Sequence, residues 1–329
     1  MGVTAQFAKF LIEARNQGVS YQKTLTLGRQ TLYVEPAELE QLLREQGRWP
    51  KGMSEEEFRR RLASSVYAEE FLGMLGASKT DSLDISDFEG ATILQDLDLE
   101  IPKRWHETFD CVVDGGLLEH VFNFPTAIRS CMEMTKRGGH LILGTTANNF
   151  FGHGFYQFSP ELFFRIFSAE NGFELVRMLT QENDLVLGTA LGLPFRAEYA
   201  GPRYEVADPA KTGQRSDLTT TRPTVLWILA KRTETVPIFR TLPKQSDYAA
   251  LWQAGKTETR PSSAYRPPWW RTVLEAMARA ATPPSARAEL KAWILRKLRK
   301  PVARRKFKQL ARHRSLENAR LFKRVTRAG

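Results

Sequence analysis

The sequence predicts an α/β fold built on a mostly parallel β-sheet. Between residues 77 and 149, short apolar segments recur, and several end in Asp or Gly, which is typical of parallel strands. A predicted helix with a Gly-terminated end separates two of them. Apolar residues make up 42% of the 329-residue chain, enough to fill a core. No stretch approaches the roughly 20 apolar residues that a membrane span needs.

The first 76 residues are predicted to be helical around one short buried strand. Alternating Thr and Leu at 24–27 indicate the strand, which Gly28 ends. Ser54 followed by Glu57 is typical of a capping box, so a helix is expected to start there. The other helices are predicted at residues 6–15, at 36–45, where Pro36 stands first, and at 67–75.

The rest of the predicted sheet follows in order along the chain. Strands are predicted at residues 82–85, 91–94, 109–114, 140–144, 174–179 and 224–230. A helix is predicted at 125–135, closed by residues 136–139 as a basic, Gly-terminated cap. Ser159 and Pro160 start a further helix. The segment between the last two strands is predicted to be irregular.

Acidic residues and glycines stand at the predicted strand ends, where open parallel sheets bind their ligands. Asp84 can accept hydrogen bonds from ribose hydroxyls, and Asp96 can lie beside an adenine. Gly115 and Gly116 allow a ligand to approach the backbone closely. A purely structural role, as a turn or cap residue, is the alternative for each of these residues. His120, on the loop after the same strand, faces the same crevice or is a packing histidine.

These segments together resemble a known family. Residues 109–121 (FDCVVDGGLLEHV) resemble the fourth-strand motif of class I S-adenosylmethionine-dependent methyltransferases. Residues 83–86, 95–97, 137–143 and 224–231 resemble the family's second, third, fifth and closing antiparallel strands. The resemblance covers residues 25–231. It implies a Rossmann-like, seven-stranded, mostly parallel sheet that binds S-adenosylmethionine across its strand ends.

The resemblance also implies which residues hold the cofactor. The predicted set is Gly28, Arg29, Asp84, Asp96, Leu97, Asp114, Gly115, Gly116 and Glu119.

One motif departs from the family pattern. The first strand runs into Gly28-Arg29-Gln30, with a single glycine where the family has a GxGxG loop. About 50 residues then precede the next strand, against the roughly 20 to 30 of an ordinary βαβ step, so an insertion is predicted at about 29–70. Arg29 either pairs with the methionine carboxylate of the cofactor or is a solvated arginine.

The loop at residues 152–158 is the predicted acceptor side. If the acceptor is a hydroxyl, His153 and His120 are the candidate bases, with Tyr156 as an orienting residue. The aromatic residues of this loop can stack on a sugar or planar acceptor, or they can form a plug under the next helix. The histidines show no HExxH-like spacing, so no metal site is predicted.

The basic charge is concentrated at the end of the chain. Residues 287–329 hold sixteen Lys and Arg against Glu289 and Glu317, a net +14, so the other residues carry −3 of the total +11. The predicted organisation is a methyltransferase-like domain at 1–233, a Pro- and Trp-containing linker at 234–286 and a basic amphipathic tail at 287–329. The tail suits an anionic membrane surface. Packing on the body, disorder and nucleic-acid binding are its alternatives.

The resulting hypothesis is a methyltransferase acting on a small-molecule or glycan-type acceptor, in envelope polysaccharide biosynthesis. The alternatives are a non-catalytic binding protein on the same scaffold and an RNA-modifying methyltransferase. Two cysteines without a CxxC motif, and no secretory pattern at the start, indicate a cytoplasmic protein, free or peripheral at the membrane. No P-loop, GxSxG or GxGxxG motif occurs. The sequence therefore gives no support to an NTPase, a hydrolase or a nicotinamide-dependent enzyme.

Overall fold

The structure is a computed structural model that describes residues 2–183, 200–253 and 314–325. Several sequence predictions lie outside the described residues. These are most of the linker, the basic tail at 287–313 and 326–329, and the part of the irregular segment at 184–199.

A nine-stranded mixed sheet forms the centre of the fold, in the order β11-β9-β8-β10-β7-β6-β2-β4-β5. A second, two-stranded sheet pairs β1 with β3. The strands are β1 Gly2–Thr4, β2 Lys23–Leu27, β3 Thr31–Tyr33, β4 Lys79–Asp84, β5 Ile93–Leu94, β6 Phe109–Asp114, β7 Thr135–Thr146, β8 Phe173–Asn183, β9 Ala200–Val206, β10 Thr224–Arg232 and β11 Phe322–Arg324.

Eight helices are described, and most begin at a recognisable cap. The hydroxyls of Thr4, Ser54 and Ser159 accept hydrogen bonds from backbone N–H groups in the first turns of their helices. The helices are α1 Ala5–Asn16, α2 Pro36–Glu45, α3 Glu55–Ala63, α4 Glu69–Met74, α5 Phe124–Met134, α6 Pro160–Ile166, α7 Pro209–Thr212 and α8 Ser246–Gln253. Within the described residues, none has the length and apolarity to cross a membrane.

The direction of the strands brings five carboxyl ends to one edge of the sheet. Strands β5, β4, β2, β6 and β7 are parallel to one another. Strand β10 is antiparallel and lies between β7 and β8. The loops after β2, β4, β5, β6 and β7 therefore meet along one edge, which is where a ligand site is expected.

The sheet is buried on both faces, because successive side chains of each strand enter different cores. On β10, Leu226 and Ile228 belong to the core beside α5 and α6, and Trp227 belongs to the core beside α1 to α4. Trp227 stacks on Phe7 of α1 at 5.3 Å between ring centroids. The helical insertion between β2 and β4 thus covers one face and holds the loop that follows β2.

Three parts of the sheet differ from the predictions. Seven strands were predicted and nine are present, the added ones being β9 and β11. Strand β9 includes Gly201 and Pro202, which were predicted to be irregular, and its pairing with β8 shifts register between Gln181 and Asn183. Strand β7 begins at Thr135, so the predicted cap at 136–139 is part of a strand instead.

Candidate active site

A cavity of about 400 Å³ lies at the carboxyl edge of the sheet, beside the loops after β4, β5 and β6. Its walls combine acidic and apolar side chains. The lining residues are Leu83, Asp84, Ile85, Gln95, Asp96, Leu97, Asp98, Leu117, His120 and Val121.

Three predicted cofactor residues, Asp84, Asp96 and Leu97, meet in this cavity. Asp84 ends β4, and its Oδ1 accepts a hydrogen bond from the Ser86 N–H at 3.2 Å. Asp96 accepts from the Asp98 N–H at 2.8 Å. Both carboxylates therefore stabilise their own turns and also border the cavity. A structural role and the predicted ligand-binding role are compatible with each other at these two positions.

The loop after β2 is arranged by contacts within the protein. Gly28 is buried with φ +67, a left-handed value that favours glycine, and its N–H donates to the Leu83 carbonyl at 2.7 Å. The Arg29 guanidinium donates to Glu69 at 2.7 Å and stacks over the Tyr67 ring at 4.0 Å. Arg29 does not line the cavity. It is also not a freely solvated arginine, because Glu69 of α4 and Tyr67, just before α4, hold its guanidinium.

Asp114 lies beneath the surface of the site. It is fully buried, and its Oδ1 accepts from the N–H groups of Gly116 at 3.2 Å and Leu117 at 2.7 Å. Burial, and then the nearby charge of Glu119, raise the pKa of Asp114 to about 8, although these backbone donors act in the opposite direction. The structure gives Asp114 the role of closing the turn after β6.

The space beside Gly115 is filled by two residues that the sequence did not indicate. The Gly115 carbonyl accepts from the Gly2 N–H at 3.1 Å. A Cβ on Gly115 would collide with the Gln30 side-chain oxygen and lie 3.3 Å from the Gly2 carbonyl. Gln30 is buried, and its amide donates to the Leu27 carbonyl. Gln30 stands in the loop that departs from the family pattern, but no local motif indicates that it or Gly2 contacts Gly115, because that partner is distant in the chain.

Glu119, His120 and His153 form a group beside the cavity. Glu119 is 1% exposed, and its Oε2 accepts from the Thr145 hydroxyl at 2.9 Å. Its Oε1 lies 4.0 Å from His153 Nε2. The His120 and His153 rings are 5.2 Å apart. The structure thus brings together two predicted catalytic residues and one predicted cofactor residue.

Partial burial sets the protonation of this group. It lowers the pKa of His153 and of His120, and for His120 the charge of His153 acts in the same direction. Burial raises the pKa of Glu119. Both imidazoles are therefore neutral at neutral pH. Each has an unprotonated ring nitrogen, whose lone pair can bind a proton or another Lewis acid.

Part of the loop that follows β7 packs against the core, and part of it is exposed to solvent. Tyr156 packs against Phe158, which is buried in the core, so part of the loop is a plug. Phe155 and Phe151 are exposed, Phe151 almost completely. The Tyr156 hydroxyl donates to the Phe122 carbonyl at 2.6 Å. Its described partner is thus a backbone carbonyl rather than a histidine, which differs from the predicted orienting role.

Seven neighbouring strands, β5-β4-β2-β6-β7-β10-β8, form the sheet that the family resemblance implied, with β10 as the antiparallel strand. The order and directions of these seven strands agree with the sheet that the resemblance implies. The motifs at 83–86, 95–97 and 109–121 all lie at one edge of this sheet, where the family binds its cofactor.

Known proteins were compared with the chain at the levels of sequence and structure. No family model and no curated protein matches it. A methyltransferase from Mesorhizobium loti that depends on S-adenosylmethionine is similar at 14% identity and TM-score 0.29, over 69% of this chain and 98% of that one. Another such enzyme, from Thermotoga maritima, has 15% identity and TM-score 0.32, over 70% and 91%. A branched-chain polyamine synthase from Thermus thermophilus has 12% identity and TM-score 0.34, over 75% and 63%.

The lining of the cavity suits an adenosine, because it offers acidic groups to hydroxyls and apolar groups to a planar base. Gly115, another predicted cofactor residue, packs against Gln30, whose side-chain oxygen would collide with a Cβ there. The described residues thus combine suitable groups for an adenosine with close packing within the chain at Gly115.

Proposed function

We propose that the chain is an S-adenosylmethionine-dependent methyltransferase. One observation carries the proposal. Asp84, Asp96 and Leu97 come from the ends of two neighbouring strands and border one cavity of about 400 Å³. When bound, the cofactor would supply the methyl group. Asp84 would accept hydrogen bonds from its ribose, and Asp96 and Leu97 would contact its adenine.

The acceptor would lie on the side of His153. A hydroxyl acceptor must lose a proton on methylation, and a neutral imidazole beside a carboxylate can take it. His153 Nε2, 4.0 Å from Glu119 Oε1, has this arrangement. Exposed Phe155 and Phe122, whose rings are 5.9 Å apart, offer an apolar surface for a small-molecule or glycan-type acceptor.

Calorimetric titration with S-adenosylmethionine tests the cofactor site. Asp84→Ala is expected to weaken binding at least tenfold, about 1.4 kcal/mol, because a hydrogen-bonded carboxylate is lost. Asp87→Ala is the matched control, since Asp87 follows the same strand, is exposed and does not border the cavity. The proposal fails if the wild-type chain binds no cofactor at millimolar concentration, or if both variants bind equally.

A second candidate function is a non-catalytic binding protein on the same scaffold. The close packing at Gly115 supports it, because Gly115 is a predicted cofactor residue and the space beside it is taken up by Gln30 of the chain itself. The same calorimetry with 5′-methylthioadenosine separates the candidates. Equal affinities for the two compounds support the binding protein. Tighter binding of S-adenosylmethionine, by tenfold or more, supports the methyltransferase.

A further inference from the structure

Three potential metal-binding side chains converge next to the cavity. Glu119, His120 and His153 each present one donor atom, and the three atoms lie within 4.8 Å of one another. Glu119 and His120 follow β6, whereas His153 follows β7. Because a whole helix and a strand separate the two parts in sequence, the spacing of the histidines does not show the group.

Hydrogen bonds hold the two loops together. The Glu119 carbonyl accepts from the N–H of Phe155 at 2.8 Å and from that of Tyr156 at 3.2 Å. The His153 N–H donates to the Phe150 carbonyl at 3.0 Å. These bonds fix the backbone of the loop that carries His153 against the backbone of Glu119, so the convergence belongs to the fold.

A hydrogen bond to one of its two oxygens orients the Glu119 carboxylate. The Thr145 hydroxyl, on β7, occupies its Oε2 at 2.9 Å, which leaves Oε1 on the side of His153. A second-sphere hydrogen bond of this kind is how proteins fix a metal-binding carboxylate. The buried Glu119 is thus an oriented donor, whereas the His120 and His153 side chains are exposed.

We propose that Glu119, His120 and His153 bind a divalent transition-metal ion. Two imidazoles and one carboxylate suit ions such as Zn²⁺, whereas Mg²⁺ and Ca²⁺ prefer oxygen ligands alone. Metal–ligand distances of about 2.0–2.2 Å place donor atoms roughly 3.4 Å apart. Rotation of the two exposed histidine side chains supplies this closure.

Three protein ligands leave a coordination position open, as in catalytic rather than structural sites. An acceptor hydroxyl bound there would release its proton to solvent more readily, because the ion withdraws electron density from the oxygen. With the ion bound, this effect would take the place of His153 as the base, since the ring nitrogen is then a ligand. This last step rests on the proposed methyl transfer, but binding of the ion does not.

Cobalt(II) is a spectroscopic probe for the site. The full-length chain, free of affinity tags and treated with chelator, is titrated with Co²⁺ and its visible absorption is followed, and Zn²⁺ binding is measured by calorimetry. One ion per chain is expected. His153→Ala, His120→Ala and Glu119→Gln should each weaken binding at least tenfold, and Thr145→Val should weaken it less.

His106→Ala is the matched control. His106 lies 3.6 Å from Glu133, away from this group, so its loss should leave the affinity unchanged. Circular dichroism of each variant establishes that the fold persists. The proposal is overturned if the wild-type chain binds no ion at 100-fold molar excess, or if His106→Ala reduces binding as much as His153→Ala does.

Titration of the chelator-treated chain with S-adenosylmethionine separates this proposal from the proposed function. If cofactor binds but Co²⁺ does not, the metal site is wrong and the methyltransferase proposal stands. If Co²⁺ binds but cofactor does not, the metal site stands and the methyltransferase proposal is wrong.

Discussion

Gly115 is packed closely against two other segments of the chain. The Gln30 side-chain oxygen lies where a Cβ of residue 115 would stand, and the Gly2 carbonyl is 3.3 Å from that position. The glycine at this position therefore serves a contact within the protein, whether or not a ligand also approaches it.

Gly115→Ala is expected to lower the free energy of unfolding by about 1–3 kcal/mol, because the added methyl overlaps Gln30. In a Gln30→Ala background the same change should cost less, since the overlap is gone. Urea unfolding of the four proteins measures the coupling. Gly73→Ala, in helix α4 with nothing near its missing Cβ, should be neutral or stabilising. Equal losses in both backgrounds would contradict this account.

His140 is expected to make the fold acid-sensitive. Burial, and then the charge of Lys231, lower its pKa to about 4 from an ordinary 6.5, and its Nδ1 is buried without a described partner. The folded chain therefore holds His140 neutral where the unfolded chain protonates it. Its contribution to stability is present above pH 6.5 and is lost as the pH falls towards 4.

The check on His140 is the free energy of unfolding in urea at pH 7.5 and pH 5. His140→Gln should lose less stability between the two pH values than the wild type does. His106→Gln is the control for removing a histidine that is more exposed. An unchanged pH dependence in His140→Gln would show that other groups cause the acid sensitivity.

At the scale of elements, the loop after β7 determines the geometry of the candidate site. A Cβ on Gly154 would lie 2.8 Å from the Glu119 carbonyl and 3.1 Å from His120 Nδ1. Gly154→Ala should therefore displace the loop and separate His153 from Glu119, with a stability loss below about 2 kcal/mol because the loop is largely exposed.

The NMR resonances of the His120 and His153 rings report this displacement. Gly154→Ala should shift both, whereas Phe151→Ala, at an almost fully exposed position of the same loop, should shift neither. Identical histidine spectra for wild type and Gly154→Ala would mean that the loop does not set the site.

At the scale of the whole molecule, residues 321 and 322, within the predicted tail, are part of the core. Strand β11 pairs antiparallel with β9, and Leu321 and Phe322 are 3% exposed. The Arg314 carbonyl accepts from the Thr219 N–H at 2.6 Å. The described part of the predicted tail, residues 314–325, is therefore joined to the domain rather than separate from it.

Phe322→Ala is expected to cost about 3–5 kcal/mol, the range for removing a buried phenylalanine. Lys323→Ala, on the same strand and exposed, should stay within about 0.5 kcal/mol of the wild type. Urea unfolding compares them. If the two variants are equally stable, β11 does not contribute to the core.

The basic residues of the tail are best tested by charge substitution, since truncation would remove β11. We expect the full chain to sediment with phosphatidylserine vesicles. Replacing Arg296, Lys297, Arg299 and Lys300 by Gln should weaken binding at least tenfold, because each basic residue near such a surface contributes about 1 kcal/mol. A control with four exposed basic residues of the body replaced should bind as the wild type does. Those residues are Lys51, Arg59, Arg60 and Lys211. Equal binding by both variants would reject a membrane role for the tail.

Local signals predicted many of the elements correctly. Helix α2 and strand β6 have the predicted bounds, Pro36–Glu45 and Phe109–Asp114, and Ser54 caps α3 as its capping box indicates. Strand β9 was missed because Gly201 and Pro202 disfavour a strand locally, whereas pairing with β8 and β11 stabilises it.

Local sequence signals predict the α/β class, seven of the nine strands of the central sheet, and the acidic residues at the ends of several of them. Periodicity and strand-ending residues are local, so they can be read without the fold. The tertiary structure alone decided that Glu119 and His120 meet His153, that Gln30 and Gly2 fill the space at Gly115, and that residues 322–324 join the sheet. Each of these contacts joins segments far apart in the chain, and only packing of the whole sheet brings them within reach.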